Sequence, residues 1–154
     1  MEAQRLAEWI ATHAPVLVLT GAGCSTASGI PAYRSATGEW DKPAPIQHRD
    51  FLRSEAARRR YWGRSLVGWP RFAAAQPNAA HRAIARLLET GLAGAVVTQN
   101  VDRLHQKAGT TAALDLHGRL DRVICVACGH RLARSDIQAQ LSAINPDFDP
   151  ACLG

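Results

Sequence analysis

The stretch Pro15-Val16-Leu17-Val18-Leu19-Thr20 runs without a break into Gly21-Ala22-Gly23. That junction constrains the fold more than any other feature of the chain. A β-branched and aliphatic run of this length reads as a buried parallel strand. The glycines then turn the chain sharply, and a short helix is expected to start near Ser25 or Thr26. A strand entering such a turn ahead of a helix is a phosphate-binding arrangement. Glycine lets the backbone approach an anion closely, while the helix N-terminus offers unpaired N–H groups and the positive end of a dipole. The third glycine of the full dinucleotide fingerprint is displaced, since position 26 is Thr and the next glycine is Gly29. A purely structural tight turn accounts for these residues nearly as well.

The rest of the chain alternates in the same way. Leu6, Trp9, Ile10 and His13 recur at helical spacing over Glu2–His13, and Pro15 stops that helix. Helical patterning returns from Asp50 to about Val67 and from Asn78 to Thr90, where Gly91 closes the second segment. Ala95-Val96-Val97-Thr98 and Leu114-Asp115-Leu116 read as further strands. The Gly- and Pro-rich stretch from Ile30 to Pro45 reads as a long functional loop. Alternating strands and helices predict an α/β fold with a parallel sheet.

Composition narrows the class. With 154 residues, 47% of them hydrophobic and 20% charged, the chain has the proportions of about one globular domain, which argues against wholesale disorder. No apolar run approaches the ~20 residues needed to cross a bilayer. Glu2, Arg5 and Glu8 near the start are wrong for a secretory signal, so a cytoplasmic protein without a membrane partner is expected. The net charge is +5, and all the basic residues except Lys42 and Lys107 are arginine. Such a bias often reflects genome composition, and Arg58-Arg59-Arg60 reads as a solvated helix face. No specific nucleic-acid partner is expected.

Three further groups could carry chemistry. Thr98-Gln99-Asn100-Val101-Asp102 lies just past the carboxyl end of a predicted strand, where open parallel sheets bind ligands. Its polar side chains could fix an amide, a ribose and a water, or Asp102 could simply cap a helix. His117, in Leu116-His117-Gly118, ends another strand at the same edge and could accept a proton from a sugar hydroxyl at neutral pH. His81 and His105 read as structural residues. Cys125-x-x-Cys128-Gly129 follows Arg122-Val123-Ile124 and suits half of a tetrahedral zinc site. Cys152, or less plausibly His130, remains to join that pair.

Taken together these elements resemble the sirtuins, the NAD-dependent protein-lysine deacylases. The resemblance rests on the run from Gly21 through Ser25, Gly29-Ile30-Pro31 and Tyr33-Arg34, then Thr98 to His105, Ala108-Gly109, Leu116-His117-Gly118 and Cys125-x-x-Cys128. Pro45-Ile46-Gln47-His48, Arg60-Tyr61-Trp62, Gly68-Trp69-Pro70 and Gln76-Pro77-Asn78 look most like the class II branch.

The resemblance implies a doubly wound, Rossmann-like NAD-binding sheet with a small zinc-binding module. The N-terminal part of the first would occupy residues 1–119 and the start of the second residues 120–154. Gly21, Ala22, Gly23 and Ser25 would line the phosphates of NAD, and Tyr33 and Arg34 would belong to a cofactor loop. Gln99 would touch the nicotinamide ribose, while Ile30, Asn100 and Asp102 would form the nicotinamide pocket. His117 would be the general base, and Cys125 and Cys128 would hold structural zinc. The partner would be an acylated-lysine protein or peptide, with nicotinamide and an acyl-ADP-ribose among the products.

The family pattern continues for about as long again beyond this chain, so a truncated form is expected. An inactive fragment and an NAD-dependent protein ADP-ribosyltransferase are the alternatives. Tyr61 and Arg64 match a Tyr-x-x-Arg pair that faces the acyl channel of sirtuins removing acidic acyl groups. They fall on one helical face, which could equally be a solvated one.

Overall fold

Three strands, β1 (Val16–Thr20), β2 (Ala93–Thr98) and β3 (Leu114–Asp115), pair in parallel in that order in the computed structural model. The structure describes residues 2–32 and 45–153, so Tyr33 and Arg34 lie outside the described residues. The chain divides into two compact units. One takes the described residues of Met1–Ala32 and Ala75–Leu120, the other those of Tyr33–Ala74 and Asp121–Gly154.

In the first unit, helix α1 (Glu2–His13) has the bounds its periodicity predicts. In β2, Ala93, Val96 and Thr98 are buried, and Thr20 pairs with Thr98 so that both strands end level. The other face of the sheet differs from the sequence expectation. Leu17, Leu19 and Leu114 are 67%, 62% and 60% exposed, so β1 is open on one side rather than buried. Parallel strands are apolar on both faces because helices normally cover both. Among the described residues these three leucines remain uncovered.

The turn after β1 also differs. Instead of a helix from Ser25, a 3-10 helix runs over Ala22–Ser28 directly after Gly21. Thr26 Oγ1 donates to the Gly23 carbonyl at 2.9 Å, and this local bonding favours a tight coil over α-helix. Gly29 ends it at φ +82°, a left-handed conformation that glycine adopts without strain.

The next two helices of the chain belong to the second unit. In that second unit, helices α2 (His48–Arg53) and α3 (Glu55–Ala74) replace the single helix expected over 50–67. Ser54 separates them in extended conformation, and its Oγ accepts from Ala57 N at 3.2 Å, as an N-cap does. Helix α3 also continues beyond Val67, where the sequence predicts an end, and through Pro70. Proline removes the N–H that would reach the Leu66 carbonyl. Gln138 Nε2 supplies that hydrogen bond at 3.0 Å, and Arg134 donates to the neighbouring Ser65 carbonyl at 3.0 Å. Both donors lie on α6 (Arg134–Ile144). The Arg134 guanidinium is buried over the rings of Trp62 and Trp69, 5.7 and 5.1 Å from their centroids. An antiparallel hairpin, β4 (Arg122–Ile124) with β5 (Arg131–Ala133), precedes α6. A 3-10 turn, Pro150–Leu153, follows it.

The first unit is completed by α4 (Ala79–Glu89) and the short α5 (Leu104–Lys107). Asn78 caps α4 by accepting from Ala80 N and His81 N, while His81 Nδ1 accepts from Asn78 N. Among the described residues no helix is long and apolar enough to cross a membrane.

Candidate active site

The carboxyl ends of β1 and β2 carry threonines, and the residues after them converge. Asn100 N donates to Thr98 Oγ1 at 3.0 Å, which turns the segment after β2 back over the strand end. The Asn100 side-chain amide then donates to the Gly21 carbonyl at 3.0 Å and to Ser25 Oγ at 3.1 Å. Ser25 passes its own proton to Asp102 Oδ2 at 2.6 Å. The other carboxylate oxygen accepts from Leu104 N at 2.9 Å, fixing the start of α5. Ser25, Asn100 and Asp102 are 1%, 9% and 8% exposed, so this is a buried and directed polar network. Such a network orders the Gly21 turn against the strand end.

Ile30, also buried, donates its N–H to the Ser25 carbonyl at 3.3 Å and supplies an apolar wall. A Cβ built on Gly21 would meet Gln99 Oε1 at 3.5 Å, an ordinary contact, and one on Gly23 would meet nothing within 4 Å among the described residues. Packing against the described residues therefore does not demand glycine at position 23, whose backbone stays open to close approach.

Gln99 N donates to the Thr20 carbonyl, and the Gln99 carbonyl faces His117 Nδ1 at 3.1 Å. A carbonyl only accepts, so His117 Nδ1 carries the proton and Nε2 keeps its lone pair. His117 is exposed, and Gly118 follows at φ +77°. An imidazole held this way can take a proton from a bound hydroxyl.

Gly21, Ala22, Gly23, Ser25, Ile30, Gln99, Asn100, Asp102 and His117 thus all lie in the first unit, in the turn after β1 or the segments after β2 and β3. Asp102 accepts from Leu104 N at the start of α5, the capping-type contact its position allowed, and it also anchors Ser25. Sequence reasoning missed Thr20, Asn78 and Arg103 as contributors. Thr20 and Thr98 share a hydroxyl hydrogen bond of 2.8 Å at the level strand ends. Asn78 reaches the Cys24 carbonyl at 2.8 Å and Ser28 Oγ at 3.0 Å, tying the turn to α4. Arg103 sits at φ +67°, unusual for a side-chain-bearing residue, and pairs with Asp115. Terminal threonines on both predicted strands were the one available signal.

His81 and His105 are both buried, with His105 Nε2 2.8 Å from Thr20 Oγ1. Burial pushes both rings below the ordinary imidazole range, and the Asp102 charge offsets this only in part. Burial also pushes the Cys24 thiol up, and Asp102 adds to that. The two imidazoles have a consequence for pH. Below about pH 6.5 the unfolded chain takes up protons that the folded rings refuse, so proton binding favours unfolding. Thermal stability in the presence of a chelator should therefore fall as pH drops through 6.5 and below. Replacing His105 by Gln should flatten that slope; an identical slope would exclude its contribution.

A model of the Sir2 family matches residues 21–153. The chain belongs to the Sir2 family. It is 51% identical over 145 residues to a Bradyrhizobium diazoefficiens protein named NAD-dependent protein deacetylase 2, covering 94% of this chain and 53% of that one. It is 48% identical over 151 residues to the Drosophila melanogaster NAD-dependent protein deacylase Sirt4, covering 96% of this chain and 48% of that one. A solved structure described as Sir2-p53 peptide-NAD+ superposes with a TM-score of 0.76 at 33% identity, covering 93% of this chain and 57% of that one. The Sir2-family chain described here thus spans about half the length of the curated relatives it matches.

The remaining expected residues lie in the second unit. Arg64 lines a cavity of about 280 Å³ with Pro45, Ile46, Gln47, Asp50 and Arg60. Tyr61 instead packs edge-on against Phe51 and Trp62, with ring centroids 5.1 and 5.4 Å apart. Cys125 and Cys128 are exposed on the β4–β5 turn, where Cys125 N donates to the His130 carbonyl at 2.8 Å and Gly129 takes φ +72°. The backbone N–H groups of Cys128 and Ala127 hold the Cys125 thiol below its usual range, with a smaller contribution from the Cys128 side chain. A thiol held this way suits a thiolate metal donor. The side chain of Cys152 lies outside the described residues.

Proposed function

We propose that this chain carries the catalytic half of an NAD-dependent protein-lysine deacylase. The observation that carries the reading is the buried network of Ser25, Asn100 and Asp102 beneath the Gly21 turn, at the sheet edge where parallel α/β folds bind nucleotides. Relatives named as NAD-dependent deacetylases, and a similar structure described with NAD and a peptide, support it.

NAD supplies an activated ribose, onto which the acyl oxygen of the substrate lysine adds as nicotinamide leaves. In this reading Gly21, Ala22, Gly23 and Ser25 face the phosphates, where an uncrowded Gly23 lets the backbone come close. Asn100 and Asp102, with Ile30, enclose the nicotinamide end and orient its amide. Gln99 holds the adjoining ribose. His117 then takes a proton through Nε2 from a ribose hydroxyl and so generates the nucleophile that moves the acyl group. Tyr33 and Arg34 would belong to the loop closing over the nucleotide. The partner is an acylated-lysine protein or peptide.

In the same reading residues 1–119 belong to a doubly wound NAD-binding domain, and residues 120–154 begin a zinc-binding module. Cys125 and Cys128 would hold a structural zinc ion that takes no part in the reaction. Class II character is supported by the 48% identity to the relative named Sirt4. The cytoplasm is the proposed compartment.

Incubation of the protein with NAD and an acetyl-lysine peptide tests the assignment. Nicotinamide should appear only with the acylated peptide, in a one-to-one ratio with free lysine. Release without peptide, leaving ADP-ribosylated protein, would favour the transferase alternative and contradict the proposal.

Acyl preference follows from Arg64. A guanidinium lining a cavity would bind a distal carboxylate through a charge-assisted fork, with Tyr61 adding a hydroxyl. Glutaryl- or succinyl-lysine should then be cleaved better than acetyl-lysine. Arg64→Met should erase the preference, a loss of about 1.5–3 kcal/mol in kcat/KM terms for a charged hydrogen bond. An unchanged ratio of acidic-acyl to acetyl kcat/KM would remove Arg64 from the acyl site.

A further inference from the structure

We propose that Cys24, His81 and His105 form a second metal site, separate from Cys125 and Cys128, for one borderline-soft dication of the zinc or cobalt type. The three residues come from the 3-10 turn, α4 and α5. The Cys24 sulfur and one ring nitrogen of each histidine all lie within 4.8 Å of one another. Cys24 Sγ is 3.8 Å from His81 Nε2. Zinc bonds of about 2.3 Å to sulfur and 2.0 Å to nitrogen place two tetrahedral donors about 3.5 Å apart, so the pair needs only a small closure.

An independent observation points the same way. The Thr20 hydroxyl donates to Thr98, so its oxygen accepts from His105 Nε2–H. That tautomer leaves His105 Nδ1 with a lone pair, and this atom is buried with no hydrogen-bond partner among the described residues, in a residue only 1% exposed. Buried polar atoms are nearly always paired, and those that are not call for an explanation. A metal ion held with the Cys24 sulfur and His81 ring, which lie within 4.8 Å of one His105 ring nitrogen, is one such explanation.

Binding balances simply. The Cys24 thiol releases one proton to solvent and becomes the thiolate donor. The His81 proton moves from Nε2 to Nδ1, so the ring binds through Nε2. The Asn78 N–H bond to Nδ1, long at 3.3 Å, must then give way, while Asn78 Oδ1 keeps its contacts to Ala80 N and His81 N. Three protein donors leave one position open for water or another small ligand. The Asp102 carboxylate, whose charge acts on all three residues, favours a cation there. Because the Cys24 carbonyl is held by Asn78, a bound ion would pin the 3-10 turn to α4.

Cobalt(II) titration of the chain with Cys125, Cys128 and Cys152 changed to Ser tests this, since Cys24 is then the sole thiol. A thiolate-to-cobalt charge-transfer band should saturate at one equivalent and be displaced by zinc. Cys24→Ser in that background should remove the band, and His105→Gln should weaken cobalt binding about tenfold or more. No band in a chain whose circular dichroism matches the parent, or a band that survives Cys24→Ser, would overturn the proposal. Should the triple variant lose its fold, alkylation of the unmodified chain decides, read at Cys24 by peptide mass spectrometry. Zinc should protect Cys24 in the parent and not in His105→Gln; equal labelling with and without zinc in the parent would overturn the site.

Discussion

On the proposed deacylase reading, alanine at position 117 should lower deacylation by about two to four orders of magnitude, the usual contribution of a general base, while leaving NAD affinity nearly unchanged. The His117 ring is tied to the protein through Nδ1 and the Gln99 carbonyl alone among the described contacts, so its removal disturbs little else. It is exposed, and no buried partner is orphaned. The change should therefore fall on kcat rather than on NAD binding or folding. Turnover measured with an acyl-peptide, beside NAD binding by calorimetry, separates these effects. Near-parental turnover would remove His117 from the reaction.

Asp102→Ala should have the largest effect on stability. Its carboxylate accepts from the Ser25 hydroxyl at 2.6 Å and from Leu104 N at 2.9 Å, both in buried surroundings. Truncation leaves two donors unsatisfied at about 1–3 kcal/mol each. For a chain of this size a total of about 2–6 kcal/mol corresponds to a fall in Tm of roughly 5–20 °C. Asp102→Asn should be intermediate, because the amide oxygen can still accept from Leu104 while the Ser25 proton loses its acceptor. Thermal unfolding of the three proteins checks the order. An Asp102→Ala protein melting with the parent would mean that the network does not order the turn.

Much of this arrangement is legible in the sequence because the signals are local. Helix α1 ends where Pro15 intervenes, and Asn78 begins α4 because its side chain satisfies the first free N–H groups. The site segments could be placed at one sheet edge because each follows a predicted parallel strand. What could not be read depends on partners distant in sequence. Pro70 is tolerated in α3 because Gln138 and Arg134 donate to the Leu66 and Ser65 carbonyls. Ser25 is buried because Asn100 and Asp102 reach it from 75 and 77 residues away. The open face of β1 likewise escapes a reading of the strand alone. Its aliphatic run records that both faces suit apolar cover, and cannot tell which elements supply it.

In the proposed deacylase reading Asn100 and Asp102, anchored beside Ser25, receive the nicotinamide end of NAD, and His117 acts only after nicotinamide has left. Exchange of labelled free nicotinamide into NAD, in the presence of an acyl-lysine peptide, measures the first step without the second. Exchange should persist in His117→Ala, which no longer completes deacylation, and should be lost in Asn100→Ala. Exchange at the parental rate in Asn100→Ala, or its loss in His117→Ala, would contradict the account.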